Sequence, residues 1–168
     1  TCCRRWLHRR VAQALETLNA GDLDGVSGQI ATHYELAGLL ENAVVFYQRA
    51  AAATQQIYAH IEAIHQLNKG LALLHQLSVT PDRLRLELSL QLALGVSLGA
   101  VSGSSTPEVR EAYVRAQALA VQVDDDSAHL VAVAGLHISE MNRGQMQAGY
   151  DLAVQCLALA EQIGDPSG

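Results

Sequence analysis

The stretch RLRLELSLQLAL (residues 83–94) decides between a sheet and a helix for this chain. Leucine occupies every second position from Leu84 to Leu94, which is the period of a half-buried β-strand. The stretch nevertheless favours a helix, because it consists of strong helix formers, lacks β-branched residues and has no second strand candidate to pair with. On a helix, at about 100° per residue, the leucines form two stripes on nearly opposite faces. The first stripe is Leu84, Leu88, Leu92 and Val96, and the second is Leu86, Leu90, Leu94 and Leu98.

These two stripes also predict how the helix is surrounded. Burying seven leucines at about 2 kcal/mol each gives on the order of 14 kcal/mol of gross stabilisation, which is too much to leave facing water. A surface helix of a small bundle covers only one face. We therefore predict that this helix is an inner layer of a stacked helical array.

Turn-forming residues divide the whole chain into segments of helical length. No turn residue separates residues 56 and 58, so the two segments that meet there are either two helices or one bent helix. Hydroxyl and carboxyl groups predict N-caps at Thr80, at Thr106 and in the run Asp124–Asp126, where capping is favoured over a calcium site. The predicted segments are 4–20, 26–38, 41–56, 58–77, 81–101, 107–123, 126–142 and 145–163.

Composition and charge narrow the function classes. The formal net charge is −6, and all seventeen acidic residues follow the first ten positions, which hold four of the eleven basic residues. Most of the surface should therefore repel a phosphate backbone, so we expect no nucleic acid partner. No apolar run approaches the ~20 residues that span a bilayer, so we expect no membrane helix. Two adjacent cysteines and one distant one make no disulfide framework, which favours a reducing, cytoplasmic setting.

A repeat unit is visible in IATHYELAGLLENAVVFYQRA (residues 30–50). Small residues let two helices approach closely, and an aromatic ring fills the hole between them. The unit is similar to the tetratricopeptide pattern, which is a helix-turn-helix. We therefore predict an all-α fold of about eight helices, a right-handed superhelix of antiparallel helix pairs with three to four degenerate repeats and irregular spacing. The unit contributes Ala31, Tyr34, Ala43, Tyr47 and Ala50, and weaker echoes are Ala63, Leu67, Gly70, then Ala112, Ala116, Leu119, then Gly149, Ala153, Cys156.

Several longer stretches resemble the helical repeat region of large bacterial signal-transduction ATPases. They are LHRRVAQALETL (7–18), THYELAGLLENAVVFYQRA (32–50), RLRLELSLQLALG with TPEVREAYVRAQALA (83–120) and ALAEQIGDP (158–166). The resemblance implies an ATPase module before the repeats, a connector helix at 1–20, and a transcription-factor or cyclase output. The chain starts without methionine and stops at GDPSG, so we expect residues 1–168 to be a single repeat domain within a larger protein.

The repeat unit and the two-faced helix favour an interaction scaffold. We do not expect an enzyme, because no nucleophile, base and orienting group occur at a recognisable spacing. The expected partner is a protein or peptide segment, or a neighbouring domain of the same parent chain, bound on the concave surface that stacked helix pairs produce. The alternative is a sensor domain that binds a small inducer. We expect no cofactor, and the oligomeric state is left open.

Residues that suggest chemistry have simpler interpretations. Gly95, Gly99 and Gly103 lack the Gly-Lys-Ser/Thr of a phosphate loop and predict close helix packing and a flexible exit from the helix. Glu62 and His65 form only one of the two pairs that a di-iron bundle needs. Cys156 lies among apolar residues and predicts a small core residue, whereas Cys2 and Cys3 are expected to be exposed. The scattered histidines predict surface or partly buried polar contacts; they are His33, His60, His75, His129 and His137.

Overall fold

The computed structural model describes residues 2–164, and this part of the chain is all-α. The stretch RLRLELSLQLAL lies entirely inside one helix, which confirms the helical interpretation. The predicted segments and the observed helices agree to within a few residues. The helices are α1 Cys2–Leu18, α2 Ser27–Ala37, α3 Leu40–Gln56, α4 His60–Leu74, α5 Pro81–Ser102, α6 Pro107–Val123, α7 Asp126–Asn142 and α8 Met146–Gly164, with a 3-10 turn at Asp24–Val26 before α2.

The chain divides between Val79 and Thr80 into two compact units. Unit 1 contains α1 to α4, and unit 2 contains α5 to α8. In each unit every helix packs against the next one along the chain, as adjacent antiparallel pairs. This arrangement confirms the predicted all-α class and is consistent with a helical repeat array.

The end of α3 rules out the bent-helix alternative. The helix stops at Gln56, and Tyr58 adopts a left-handed backbone conformation with φ of 60° before α4 begins at His60. This reversal of the chain direction places α4 antiparallel to α3, against which it packs. The Tyr58 side chain is 85% exposed, so it contributes to the turn through its backbone and not through core contacts.

The three predicted caps of unit 2 all contain the residue at the N-cap, but they differ in the hydrogen bonds that they make. Thr80 accepts a hydrogen bond from the Arg83 backbone N–H at 3.2 Å, and Asp125 accepts one from that of Ala128 at 2.9 Å. Thr106 stands at the predicted N-cap position before Pro107, but its hydroxyl makes no capping hydrogen bond. Asp124 is not part of the cap of α7, because its left-handed conformation, with φ of 57°, ends α6 instead.

The two leucine stripes of α5 are covered to different extents. Leu84 and Leu88 of the first stripe are buried in a cluster with Ala116, Leu119 and Ala120 of α6. Leu90 and Leu94 of the second stripe are also buried. The inner-layer prediction fails at the C-terminal end of the first stripe, where Val96 is half exposed.

α5 is the one helix in residues 2–164 whose length and composition would allow it to cross a membrane. The same test is passed by core helices of soluble proteins. In this structure α5 packs against α6 and carries a buried carboxylate, Glu87, that is paired with arginine.

Candidate functional site

The residues predicted to pack the repeats lie almost entirely inside the protein. Ala153 and Cys156 are half-buried, and the others are buried. The buried residues therefore belong to the structural core, and the candidate site must lie on the surfaces around them. The buried set is Ala31, Tyr34, Ala43, Tyr47, Ala50, Ala63, Leu67, Gly70, Ala112, Ala116, Leu119 and Gly149.

The two buried tyrosines of unit 1 connect successive helices through their hydroxyl groups. Tyr34 on α2 donates a hydrogen bond to Glu16 Oε1 on α1, and its ring stacks on Phe46 of α3 with centroids 5.7 Å apart. Tyr47 on α3 donates to Glu35 Oε2 on α2 at 2.5 Å. The sequence predicted the rings as fillers between helices, but it gave no sign of the two carboxylate partners.

The environment of these hydroxyl groups changes their acidity. Burial, followed by the hydrogen bond to Glu16, raises the pKa of Tyr34 to about 12. Burial and the bond to Glu35 likewise raise the pKa of Tyr47 to about 12. Both hydroxyl groups therefore stay protonated donors at any physiological pH, which suits a structural role and not a catalytic one.

Two histidines meet across the contact between α1 and α2. The Nδ1 atoms of His8 and His33 lie 2.9 Å apart, so one neutral ring donates a hydrogen bond to the other. Burial and the nearby charge of His8 lower the pKa of His33. This confirms the prediction of a partly buried polar contact for His33, and adds a partner 25 residues away that the sequence did not identify.

In unit 2 the ring of Tyr113 on α6 lies between two glycines. A Cβ atom at Gly95 of α5 would lie 2.7 Å from Tyr113 Cζ, and one at Gly135 of α7 would lie 2.5 Å from the same atom. Close packing was predicted at Gly95 and is confirmed there. Gly99 has only an ordinary contact at 3.6 Å, with Ser104 Oγ, and Gly103 ends α5 with φ of 85°.

A concavity of unit 2, which we call the unit-2 groove, lies between α6, α7 and the start of α8. It has a volume of about 660 Å³. Apolar side chains on three helices contribute to its lining, namely Val114, Leu136 and Leu152. Charged and amide side chains complete the lining, including Arg110, Gln117, Glu140, Arg143, Gln145 and Asp151.

A buried carboxylate organises the charged part of the groove. Glu140 on α7 is buried and accepts a hydrogen bond from Arg110 Nε on α6 at 2.6 Å. Arg143 Nε lies 3.8 Å from the other carboxylate oxygen, and both arginine side chains remain more than a third exposed. Because a planar guanidinium donates in a fixed fork, the hydrogen bond orients Arg110, while the longer ion pair keeps Arg143 near the same carboxylate.

The same motif recurs between α5 and α6. Glu87 is buried on α5, with Arg115 Nη2 at 2.6 Å and Arg83 Nη2 at 3.6 Å. Sequence reasoning missed both motifs, since their partners stand 28 and 30 residues apart. The available signal was Glu87 itself, a carboxylate within the leucine-rich stretch of residues 83–94.

The remaining candidates are not brought together. Glu62 and His65 are both exposed, and Glu62 accepts a hydrogen bond from Gln66 on the same helix. Across residues 2–164, no three or more His, Cys, Asp or Glu side chains are grouped so that they could hold a metal ion. His137 Nδ1 donates to the Gly149 carbonyl at 2.8 Å and so joins α7 to α8.

The remaining histidines and the cysteines are dispersed. His75 is exposed, whereas His60 and His129 are partly buried. Cys156 is half-buried and not fully in the core, and burial raises the pKa of its thiol. Cys3 is exposed as expected, and the Cys2 side chain lies outside the described part.

Comparison of the chain with protein-family models, with curated proteins and with solved structures gives no significant match. The structure by itself establishes that residues 2–164 form eight helices, each packed against its neighbour along the chain within its unit. The evidence for a function therefore comes from the surface of the protein.

Proposed function

We propose that this chain is a protein-interaction scaffold whose unit-2 groove holds a segment of a partner protein or of a neighbouring domain. The observation that carries the proposal is the combination of apolar side chains with two arginines paired to one buried carboxylate in a groove of about 660 Å³. Ligand sites in proteins combine apolar linings with a few polar groups that fix orientation. A peptide segment can satisfy both parts at once.

The chemistry of the groove suggests how such a segment is held. Val114, Leu136 and Leu152 offer apolar surface to a side chain of the partner. Arg110 and Arg143 offer N–H donors to carbonyl or carboxylate oxygens, and Glu140 holds their side chains in place before binding. Preorganised donors lower the entropic cost of association.

The resemblance to the repeat region of bacterial signal-transduction ATPases supports a regulatory setting for this scaffold. In such a parent the groove would bind either a regulatory partner or a neighbouring module of the same chain. The proposed binding activity of the groove does not depend on which output domain the parent carries.

A peptide-display experiment tests the proposal. Immobilised wild-type chain is used to select from a display library of random peptides of about 12 residues, and selected peptides are then measured against two variants. Val114→Arg places a cation on the groove floor at a side chain that is 40% exposed. Val121→Arg makes the same change on the same helix, outside the groove lining, at a side chain that is 62% exposed.

The expected result is that selected peptides bind wild type and Val121→Arg equally, and bind Val114→Arg at least ~10-fold more weakly, or about 1.4 kcal/mol. Failure to select any peptide would overturn the proposal. Equal binding to Val114→Arg would also overturn it, because the binding surface would then lie elsewhere.

A small-molecule sensor is the second candidate, and the groove volume is the observation that favours it. A volume of about 660 Å³ is within the ~300–1,000 Å³ that is typical of small-molecule sites. A thermal-shift screen against a defined metabolite library tests this function. A ligand at 100 times its dissociation constant should stabilise the fold by about 2.7 kcal/mol, and the shift should be lost in Val114→Arg but kept in Val121→Arg.

A further inference from the structure

The last described helix carries an apolar stripe that no described helix covers. Met146, Tyr150, Val154 and Leu157 on α8 are each more than half exposed. Their spacing of four, four and three residues places them along one line of the helix surface. The face of α8 that contacts α7 is a different one, where Gly149 lies against Met141. We call these four residues the α8 stripe.

The first helix has an outer face of a similar kind. Leu7, Ala14 and Leu18 are exposed, and their spacing of seven and four residues also places them along one line. The side of α1 that contacts α2 holds Ala12, which is fully buried, and Glu16. We call Leu7, Ala14 and Leu18 the α1 stripe.

The charges next to the two stripes are opposite in sign. α1 carries four arginines, and its one carboxylate, Glu16, is engaged with Tyr34. Arg4 and Arg10 flank the α1 stripe by helical position, and both are exposed. α8 carries Asp151 and Glu161 and contains no Lys or Arg. Pairing α8 with another α8, or α1 with another α1, would therefore bring like charges together.

We infer that the α8 stripe of one copy of this chain binds the α1 stripe of a second copy, head to tail. The contact buries apolar side chains of both helices and brings Arg4 and Arg10 near Asp151 and Glu161. An interface made by two single helices is small, so the association is weak and reversible. Because the two surfaces differ, the contact is heterologous, and each copy retains one unoccupied stripe after a single contact forms.

The test uses two variants of residues 1–168, each of which blocks one stripe. Leu7→Glu blocks the α1 stripe and Leu157→Glu blocks the α8 stripe, at side chains that are 54% and 62% exposed. Substitution at such exposed positions leaves the fold intact, and circular dichroism and thermal unfolding verify this. Sedimentation velocity is measured for wild type, for each variant alone and for their equimolar mixture, from ~10 µM to ~1 mM. Val131→Glu is the matched control, an exposed apolar side chain on α7 outside both stripes.

The head-to-tail contact has a distinct pattern of results. Wild type and Val131→Glu self-associate as concentration rises, each blocked variant alone stays monomeric, and the mixture forms a 1:1 dimer and nothing larger. Arg10→Glu raises the midpoint concentration of wild-type association about 2- to 5-fold, as expected for an exposed ion pair, and adding Glu161→Arg to that chain restores it.

Three outcomes would overturn the inference. Wild type that remains monomeric over the whole range shows that the stripes do not pair. Continued dimerisation of Leu7→Glu alone shows an α8–α8 contact, and continued dimerisation of Leu157→Glu alone shows an α1–α1 contact. In either of the last two cases the stripe is an interface between copies, but the pairing is not head to tail.

Discussion

In unit 1 the tyrosines between helices are fixed at their hydroxyl ends, whereas in unit 2 Tyr113 is fixed along its ring. Tyr34 and Tyr47 each donate a hydrogen bond to a carboxylate on the neighbouring helix. Tyr113 instead lies between Gly95 and Gly135, where any side chain would overlap the ring. The same residue type thus fills the same kind of gap by two mechanisms, one polar and one steric.

The carboxylates of the two units differ in a corresponding way. In unit 1, Glu16 and Glu35 accept hydrogen bonds from neutral hydroxyl groups. In unit 2, Glu87 and Glu140 are buried and pair with arginines. A buried carboxylate requires such partners, because an uncompensated charge away from water is costly. The arginines beside the unit-2 groove are therefore a consequence of the ion pairs that connect the helices of unit 2.

The largest effect is expected at a fully buried small residue of unit 1. Ala43 is fully buried on α3, so Ala43→Arg overpacks the contact and buries a charge. We expect the free energy of unfolding to fall by about 4 kcal/mol, measured by urea or thermal unfolding. Val45→Arg is the control on the same helix, at a side chain that is 52% exposed, and should change stability by less than ~0.5 kcal/mol. An unchanged melting temperature for Ala43→Arg would show that the close contact is misplaced.

The steric mechanism of unit 2 is tested by adding one methyl group. Ala is normally about 1 kcal/mol better than Gly inside a helix. At Gly135 the new Cβ would overlap the Tyr113 ring, so Gly135→Ala should instead lower the free energy of unfolding by about 2–3 kcal/mol. Gly99→Ala, with its nearest contact at 3.6 Å, should be neutral or stabilising. Equal stability of the two variants would contradict the role assigned to Tyr113.

Removing single hydroxyl groups contrasts the two mechanisms directly. Tyr47→Phe leaves the Glu35 carboxylate without its donor, so we expect a loss of about 1–2 kcal/mol in urea unfolding. Tyr113→Phe keeps the ring that fits between the glycines and should cost less than ~0.5 kcal/mol. If Tyr113→Phe proved as costly as Tyr47→Phe, the distinction between polar and steric fixation would be wrong.

Much of the fold could be predicted because it depends on local signals. Leu, Ala, Arg and Glu favour helices, and Gly38, Thr80 and Asp125 mark helix ends by their own backbone or side-chain chemistry. The predictions were incomplete where a local pattern had two structural solutions. Tyr58 makes a reversal without a glycine, which the sequence left undecided. Thr106 occupies its N-cap position without a side-chain hydrogen bond, and Asp124 ends one helix instead of starting the next.

The candidate site could not be predicted for a different reason. Its parts come from different helices, and helix spacing alone does not show which faces of two helices meet. Arg110 and Glu140 are 30 residues apart, and the two glycines around Tyr113 lie on α5 and α7. The repeat pattern identified Ala112 and Ala116, which are buried. The groove is lined instead by other positions of the same helix, which the apolar repeat pattern does not include.

The smallest expected effect is a pH dependence of stability in unit 1 that arises from His33. His33 has a lowered pKa, relative to an ordinary 6.5, through burial and the charge of His8. The unfolded chain therefore binds a proton more readily than the folded one as the pH falls below about 6.5. The stabilising contribution of neutral His33 is complete above that pH and is lost as the pH falls through the lowered pKa of the folded state.

Hydrogen exchange shows which helices lose stability as the pH falls. After correction for intrinsic exchange rates, protection of amides in α1 and α2 should decrease between pH 7.5 and pH 5.5 more than protection in α6 and α7. His33→Gln removes the titrating ring and should reduce the loss of amide protection in α1 and α2 between pH 7.5 and pH 5.5. His75→Gln, at an exposed position of the same unit, should leave that loss unchanged. A pH dependence that survives in His33→Gln would assign the titration to other groups. The close contact of the two imidazoles would then be a structural hydrogen bond with no measurable linkage to protons.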